Sequence, residues 1–195
     1  IAGLTTSATK VSAEVSTLTD RTQGASGSTT TPPVTPPITT GDLTVSLSAN
    51  TPAASSVAAG ANANMFAFDL KAGSAAVKVK KVIMTQYGLS DTNDLENLKV
   101  VDATGLMFGS IVSTVNSNSQ ASFTFATPIE VSANSAKTFY IKAGINSTNG
   151  TTGNTVILGI AKSTDVVTVA TATIGGTFPL KGNSFSIVAT TVGSV

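Results

Sequence analysis

Four oxygen-bearing side chains near the middle of the chain have the types and spacing that a hard cation needs. They are Asp91, Asn93, Asp94 and Asp102. Carboxylate and amide oxygens a few residues apart in a loop are ligands that Ca²⁺ prefers. Because the glycine and the distal glutamate of an EF-hand are absent, the alternative interpretation is a polar turn whose side chains bond the backbone. We expect a calcium site or such a turn here.

Two asparagines further along the chain have the sequence context of N-glycosylation acceptors. Asn146 begins Asn-Ser-Thr and Asn149 begins Asn-Gly-Thr, both within a segment that the sequence predicts to be an exposed turn. Short acceptor motifs also arise by chance in a chain rich in Asn and Thr. Measuring the intact mass of the protein would show whether sugar is attached.

The side chains that serve most covalent and metal-dependent catalysis are missing. The chain contains no His and no Cys, which excludes Ser-His-Asp triads, thiolate nucleophiles and most transition-metal sites. It has no Trp and only two tyrosines, Tyr87 and Tyr140, to line a sugar-binding cleft. The sequence therefore predicts a protein that is not an enzyme and that uses no cofactor apart from calcium.

The composition points to an unusually neutral surface. Of the 195 residues, 41% are hydrophobic and only 11% are charged, against about 25% charged in an ordinary domain. The net charge is +1 and no basic stripe is present, so nucleic acid is not an expected partner. A surface of Thr, Ser and Asn instead predicts contact with copies of the same chain or with neutral cell-wall or surface glycans.

The first 23 residues carry two competing periodicities. Apolar residues follow Ile1 at spacings of three and four, as on one face of an amphipathic helix that ends near Asp20. This helical face, which we call the assembly segment, comprises Leu4, Ala8, Val11, Val15 and Leu18. Val11, Ala13 and Val15 also alternate with polar residues, which favours a strand instead. The helix is the preferred interpretation, and a strand that docks elsewhere is the alternative.

The first residue also bears on the cellular location of the protein. The first residue is Ile rather than Met, which predicts proteolytic processing or a trimmed chain, and removal of a signal peptide is the usual cause. We therefore expect an extracellular or cell-surface location. No run approaches 18 consecutive apolar residues, so no transmembrane segment is expected.

Residues 24–41 form a Thr/Pro/Gly-rich spacer. Paired prolines at 32–33 and 36–37 remove backbone donors and favour extended polyproline-like geometry. Such a segment cannot build a core, and its 18 residues would reach about 50 Å. The spacer predicts a domain boundary, with the assembly region at 1–23 and a folded domain at 42–195.

The folded domain shows short alternating runs separated by turn residues, and residues 107–115 and 166–174 are each predicted to form one strand. These runs are typical of nine to eleven strands in two antiparallel sheets, an Ig-like β-sandwich. One run changes phase, because Val77 and Val79 precede Lys80-Lys81 while Val82 and Met84 continue the apolar series. A phase shift would expose apolar residues unless an extra residue is absorbed, so we predict a β-bulge at Lys80-Lys81.

The order of these runs resembles the Ig-like sandwich domains of bacterial surface and S-layer-type proteins. The resemblance rests on a strand, a polar turn and Val-Ala-Ala-Gly, followed by Val77-Lys-Val and by Asp94-Leu-Glu-Asn-Leu-Lys-Val-Val-Asp. It covers about residues 42–190. The resemblance implies an all-β fold and a surface location, and it does not assign an activity.

Together these observations predict a non-enzymatic extracellular structural protein. We expect a self-assembling subunit of a surface layer, a pilus-like filament or a matrix fibre, in which residues 1–23 dock on a neighbouring subunit. The alternative is an adhesin or carbohydrate-binding sandwich module within a larger surface protein.

Overall fold

A computed structural model describes residues 41–190 of the chain. This part contains thirteen strands and one turn of 3-10 helix at Ser163–Asp165. The strands are β1 (Asp42–Leu47), β2 (Ser55–Ala58), β3 (Asn62–Ala72), β4 (Val77–Tyr87), β5 (Leu95–Asp102), β6 (Met107–Val112), β7 (Gln120–Val131), β8 (Ala136–Ile145), β9 (Thr155–Ile160), β10 (Val166–Thr168), β11 (Thr173–Gly175), β12 (Leu180–Lys181) and β13 (Phe185–Val188). The assembly segment and all of the spacer before Gly41 lie outside the described residues, as do residues 191–195.

The strands form two packed sheets, which confirms the predicted all-β sandwich. The first sheet has the order β11-β1-β3-β8-β5-β6. In the second sheet β4 pairs with β7 along one edge and with β10 and β9 along the other. Strand β9 also pairs with β12 and β13, and β13 pairs with β2 at the end of the sheet. Most pairs are antiparallel, as expected, but β1 pairs with β11 and β13 pairs with β2 in parallel.

Alternation along each strand places the core between the sheets. In β4, Val77, Val79, Val82 and Met84 are all at most 4% exposed. Four aromatic rings connect the strands of the first sheet in this core. The ring centres of Phe66 and Phe68 lie 5.7 Å apart, and those of Phe68 and Phe139 lie 5.9 Å apart. Phe139 and Phe108 pack edge-to-face with their ring centres 5.3 Å apart. The chain of rings ends on β6 and anchors that strand to the core.

The predicted bulge in β4 is confirmed by the pairing on both of its edges. In the pairing with β10, Val167 lies opposite Lys81 and the next residue, Thr168, lies opposite Val79, so Lys80 has no partner. The pairing with β7 also shifts register between Val79 and Lys81. Since one extra residue restores the phase, the valines on both sides of the lysine pair face the core.

The number and extent of the strands differ from the sequence prediction. Residues 166–174 were expected to form one strand, but they form β10 in the second sheet and β11 in the first. The short strands β2 and β12 were expected to be connections. Each of these strands is four residues long or shorter, so each carries too little alternation to be recognised in a sequence.

Candidate functional site

Asp94 is the centre of a hydrogen-bonded junction between two loops. Its side chain is fully buried, and its carboxylate accepts hydrogen bonds from the backbone N–H of Asp91 at 2.7 Å and of Thr151 at 2.8 Å. The side-chain amide of Asn154 donates a third bond at 2.8 Å. A buried carboxylate needs such partners to offset the cost of its desolvation. The loop before β5 is thereby tied to the loop before β9.

The structure brings only part of the predicted cation-binding set together. Asp91, Asn93 and Asp94 share one loop, with Asp91 and Asn93 exposed and Asp94 buried. Asp102 lies at the opposite end of β5, roughly 25 Å away at the rise of a strand. One ion therefore cannot contact Asp102 together with the other three side chains. In residues 41–190 no group of three acidic side chains is arranged to hold a metal ion, and calcium binding stays a prediction.

Asp102 instead organises the turn that leads into β6. Its carboxylate accepts hydrogen bonds from the hydroxyl and the backbone N–H of Thr104, at 2.7 and 2.8 Å, and from the N–H of Leu106 at 3.0 Å. The hydrogen bond from the Thr104 hydroxyl is the main cause that holds the pKa of the Asp102 carboxyl below its ordinary value. These hydrogen bonds fix the conformation of the turn directly before β6.

The two glycosylation motifs lie in the loop that Asp94 holds. Asn149 is exposed and Asn146 is partly buried. The side-chain oxygen of Asn146 accepts hydrogen bonds from the N–H groups of Thr148 and Asn149, both at 2.9 Å. Because sugar would be attached to the side-chain nitrogen, the exposed Asn149 is the more accessible of the two acceptors. Glycosylation stays a prediction.

Six of the eight phenylalanines lie in the core, whereas the two tyrosines are only partly buried. Phe66, Phe68, Phe123, Phe125, Phe139 and Phe185 are at most 3% exposed. Tyr87 is partly buried, with the ammonium group of Lys181 4.3 Å from the centre of its ring. Burial raises the pKa of the Tyr87 hydroxyl above its ordinary value. Neither group forms part of a recognisable catalytic cluster.

Exposed apolar side chains occur on β6 and directly before it, at one edge of the first sheet. Leu106, the residue before β6, and Met107 and Ile111 on the strand are 61%, 43% and 50% exposed, and we call these three side chains the β6 surface. They are three of the seven exposed large hydrophobic residues found among residues 41–190. A concentration of apolar side chains at a sheet edge marks a site for contact with another chain.

A groove separates β6 from β7 beside this surface. The two strands approach each other at Gly109, where a Cβ atom would lie only 2.8 Å from the carbonyl oxygen of Thr124. Gly109 has a φ of +73°, which favours glycine for a second reason. The groove walls combine small and apolar residues with polar and charged ones: Met107, Phe108, Gly109, Ser110, Thr124, Ala126, Thr127, Pro128, Ile129, Glu130 and Lys137. We call this the β6–β7 groove.

The sequence did not predict this site. Residues 107–115 were expected to form a strand, and they do so over Met107–Val112, but nothing predicted that the strand lies at an edge. Residues 103–129 contain no charged residue, but this absence does not single out β6, because residues 43–68 contain none either.

Comparison with known proteins shows similarity of fold only. No family model matches the sequence, and no curated protein matches it. A family 123 glycoside hydrolase from Clostridium perfringens is similar over 80% of this chain and 28% of its own, with 10% identity and a TM-score of 0.42. A protein that catalyses macrocyclization in alchivemycin A biosynthesis is similar over 80% of this chain and 90% of its own, with 10% identity and a TM-score of 0.36.

A third similar structure is that of a bacterial protein. It is described as a membrane-anchored protein from Corynebacterium diphtheriae, with 14% identity and a TM-score of 0.31, and the match covers 81% of this chain and 38% of that one. The present chain thus spans well under half of two of the three proteins. Within residues 41–190 no helix is long and apolar enough to cross a membrane.

The prediction that the chain is not an enzyme is wrong, because proteins with similar structures include a glycoside hydrolase and a macrocyclase. The missing His and Cys exclude particular mechanisms but do not exclude catalysis on this fold. At such low identity the comparison describes the fold alone and assigns no reaction to the chain.

Proposed function

We propose that this protein is an extracellular structural subunit that assembles with copies of itself into a filament, a surface layer or a matrix fibre. In this assembly residues 1–23 of one copy dock on the folded domain of the next. The observation that carries the proposal is the β6 surface, where Leu106, Met107 and Ile111 expose apolar side chains at a sheet edge. Such an edge tends to associate unless it is covered.

The composition supports the same function. Large assemblies place many subunit surfaces in contact, and charged residues are depleted where surfaces are buried against one another. The chain has only 11% charged residues, and none occurs along β6. The resemblance to Ig-like domains of bacterial surface and S-layer-type proteins supports the extracellular setting.

The spacer supports head-to-tail docking. A contact between an N-terminal segment and a different surface of the next copy is heterologous, and such contacts generate open filaments when the rotation between subunits does not close. A semi-rigid spacer of 18 residues would separate the two parts of each subunit by up to about 50 Å. That distance suits a segment that binds a neighbour.

Electron microscopy of the purified protein tests the proposal. We expect ordered filaments or sheets from the natural chain, and only monomers after deletion of residues 1–23. If the deletion variant assembles as the natural chain does, the docking role of the segment is wrong. Persistent monomers of the natural chain that bind a glycan would favour the adhesin or carbohydrate-binding alternative.

A further inference from the structure

We propose that the acceptor for the assembly segment is the β6 surface with the adjoining β6–β7 groove, and that the segment docks there as a helix from a neighbouring copy. The inference rests on the proposed function and names the partner surface within it. It also decides between the helix and the strand that the N-terminal sequence allows.

The backbone of β6 is a poor template for an added strand. Its pairing with β5 runs from Val112 opposite Leu98 to Phe108 opposite Val100, so three residues of β6 face one residue of β5. This bulge interrupts the regular row of donors and acceptors that strand addition requires. Docking at β6 must therefore rely on side chains, which favours a helix with an apolar face.

A strand would find a better template on the other sheet. The outer strand β2 pairs with β13 at four successive positions without a register shift. It lies in a stretch with no charged residue, from Leu43 to Phe68, and contains no proline. Natural edges that avoid strand addition usually carry a charge, a proline or a bulge. The β2 edge therefore provides the experimental alternative to helix docking on β6.

The assembly segment is long enough to cover the β6 surface. Leu4 and Leu18 lie fourteen residues apart, which in a helix corresponds to about 21 Å. Because β6 is bulged, its six residues lie opposite only Leu98–Val101 of β5, a span of roughly 10 Å. The spacings of three and four from Leu4 to Leu18 are those by which helices fill apolar grooves. The apolar face could thus contact the whole strand.

The reach of the spacer allows docking on a neighbour or on the same subunit. The folded domain begins at β1, and β1 is four strands away from β6 in the same sheet. Four strand spacings amount to roughly 19 Å, and an extended spacer of 18 residues would reach about 50 Å. Docking between copies therefore rests on the proposed function, and the experiment must distinguish it from docking within one chain.

Cysteine cross-linking tests the inference on the full-length chain, which has no native Cys. Val15→Cys marks the assembly segment, and Ile111→Cys marks the β6 surface on a second, size-tagged copy. Controls on the second copy are Ser56→Cys on β2 and Leu89→Cys between β4 and β5. Leu89 is an apolar residue that is 75% exposed and lies outside the β6 surface. We expect the Val15–Ile111 pair to yield roughly tenfold more mixed disulfide than either control.

The outcomes separate the inference from the proposed function. If deletion of residues 1–23 abolishes assembly but Val15→Cys reacts at Ser56, the docking function stands and the helix on β6 is wrong. If no pair forms mixed disulfide and the deletion has no effect, both are wrong. A disulfide that forms only within a single chain carrying both Val15→Cys and Ile111→Cys would overturn docking between copies.

A charge substitution provides a second measurement. Ile111→Lys places an ammonium group in the proposed contact and should weaken assembly by roughly tenfold or more. Leu89→Lys should leave assembly unchanged. Since both residues are exposed, circular dichroism should show the natural fold for both variants. Equal assembly of the two variants would contradict the acceptor assignment.

Discussion

At the scale of single residues, the polar side chains of this protein act mainly on the backbone. Asp94 accepts three hydrogen bonds in the interior, and Asp102 and Asn146 accept bonds from the turns that follow them. Each of these residues was predicted as a possible ligand or modification site. Their common property is that a short polar side chain can satisfy neighbouring N–H groups.

The Asp94 junction should contribute measurably to stability. We expect Asp94→Ala to lower the free energy of unfolding by about 3 kcal/mol, because it leaves buried donors without an acceptor. Asp94→Asn should cost less, since its oxygen retains part of the bonding. Asp91→Ala is the matched control, because the Asp91 side chain is exposed and its backbone N–H remains. Urea denaturation measures all three, and equal values for Asp94→Ala and Asp91→Ala would contradict this role.

Residue types predicted the polar turn near Asp94 but not its partners. The interpretation of the acidic cluster as a turn required only local spacing. The bonds to Thr151 and Asn154 join residues 57 and 60 positions apart, and a single sequence contains no signal for such distant contacts. For the same reason Asp102 was grouped with Asp94, although a whole strand separates them.

At the scale of elements, the crossing of β6 and β7 determines where the proposed acceptor lies. Phe108 holds β6 to the core through Phe139, while Gly109 allows β6 to approach Thr124 closely. The β6–β7 groove lies beside this close approach. The fixed position of β6 follows from both contacts.

Two glycines with positive φ allow this crossing to be tested. At Gly109, with a φ of +73°, an added methyl group would lie 2.8 Å from a backbone oxygen, whereas at Gly105, with a φ of +87°, it would meet no atom within 4 Å. Gly105→Ala should cost about 1 kcal/mol of stability from backbone strain alone. Gly109→Ala should cost about 3 kcal/mol, because it adds a steric clash to that strain. Thermal and urea unfolding measure the difference, and equal losses would contradict the close approach.

Elements with strong alternation were predictable, and short edge elements were not. The bulge at Lys80-Lys81 followed from one phase shift in an otherwise regular strand, which the structure confirms. The separation of residues 166–174 into β10 and β11 depends on which sheet offers a partner to each end of the run. Tertiary packing determines which sheet each end of the run joins, and local propensity carries no information about that packing.

At the scale of the whole molecule, neutral composition and an apolar edge combine into the proposed assembly. The sandwich buries six of its eight phenylalanines, yet it leaves Leu106 exposed directly before β6 and Met107 and Ile111 exposed on the strand. Because β6 carries no charge, the contact should depend on apolar burial rather than on ion pairs. The proposed assembly therefore requires one donor, the assembly segment, and one acceptor, the β6 surface, on each copy.

Mixing two defective variants tests this donor–acceptor assembly most directly. The variant lacking residues 1–23 retains only the acceptor, and Ile111→Lys retains only the donor. Sedimentation velocity should show each variant as a monomer and their equimolar mixture as a one-to-one dimer that grows no further. Assembly of either variant alone to the extent of the natural chain, or a mixture that remains monomeric, would contradict the proposed assembly.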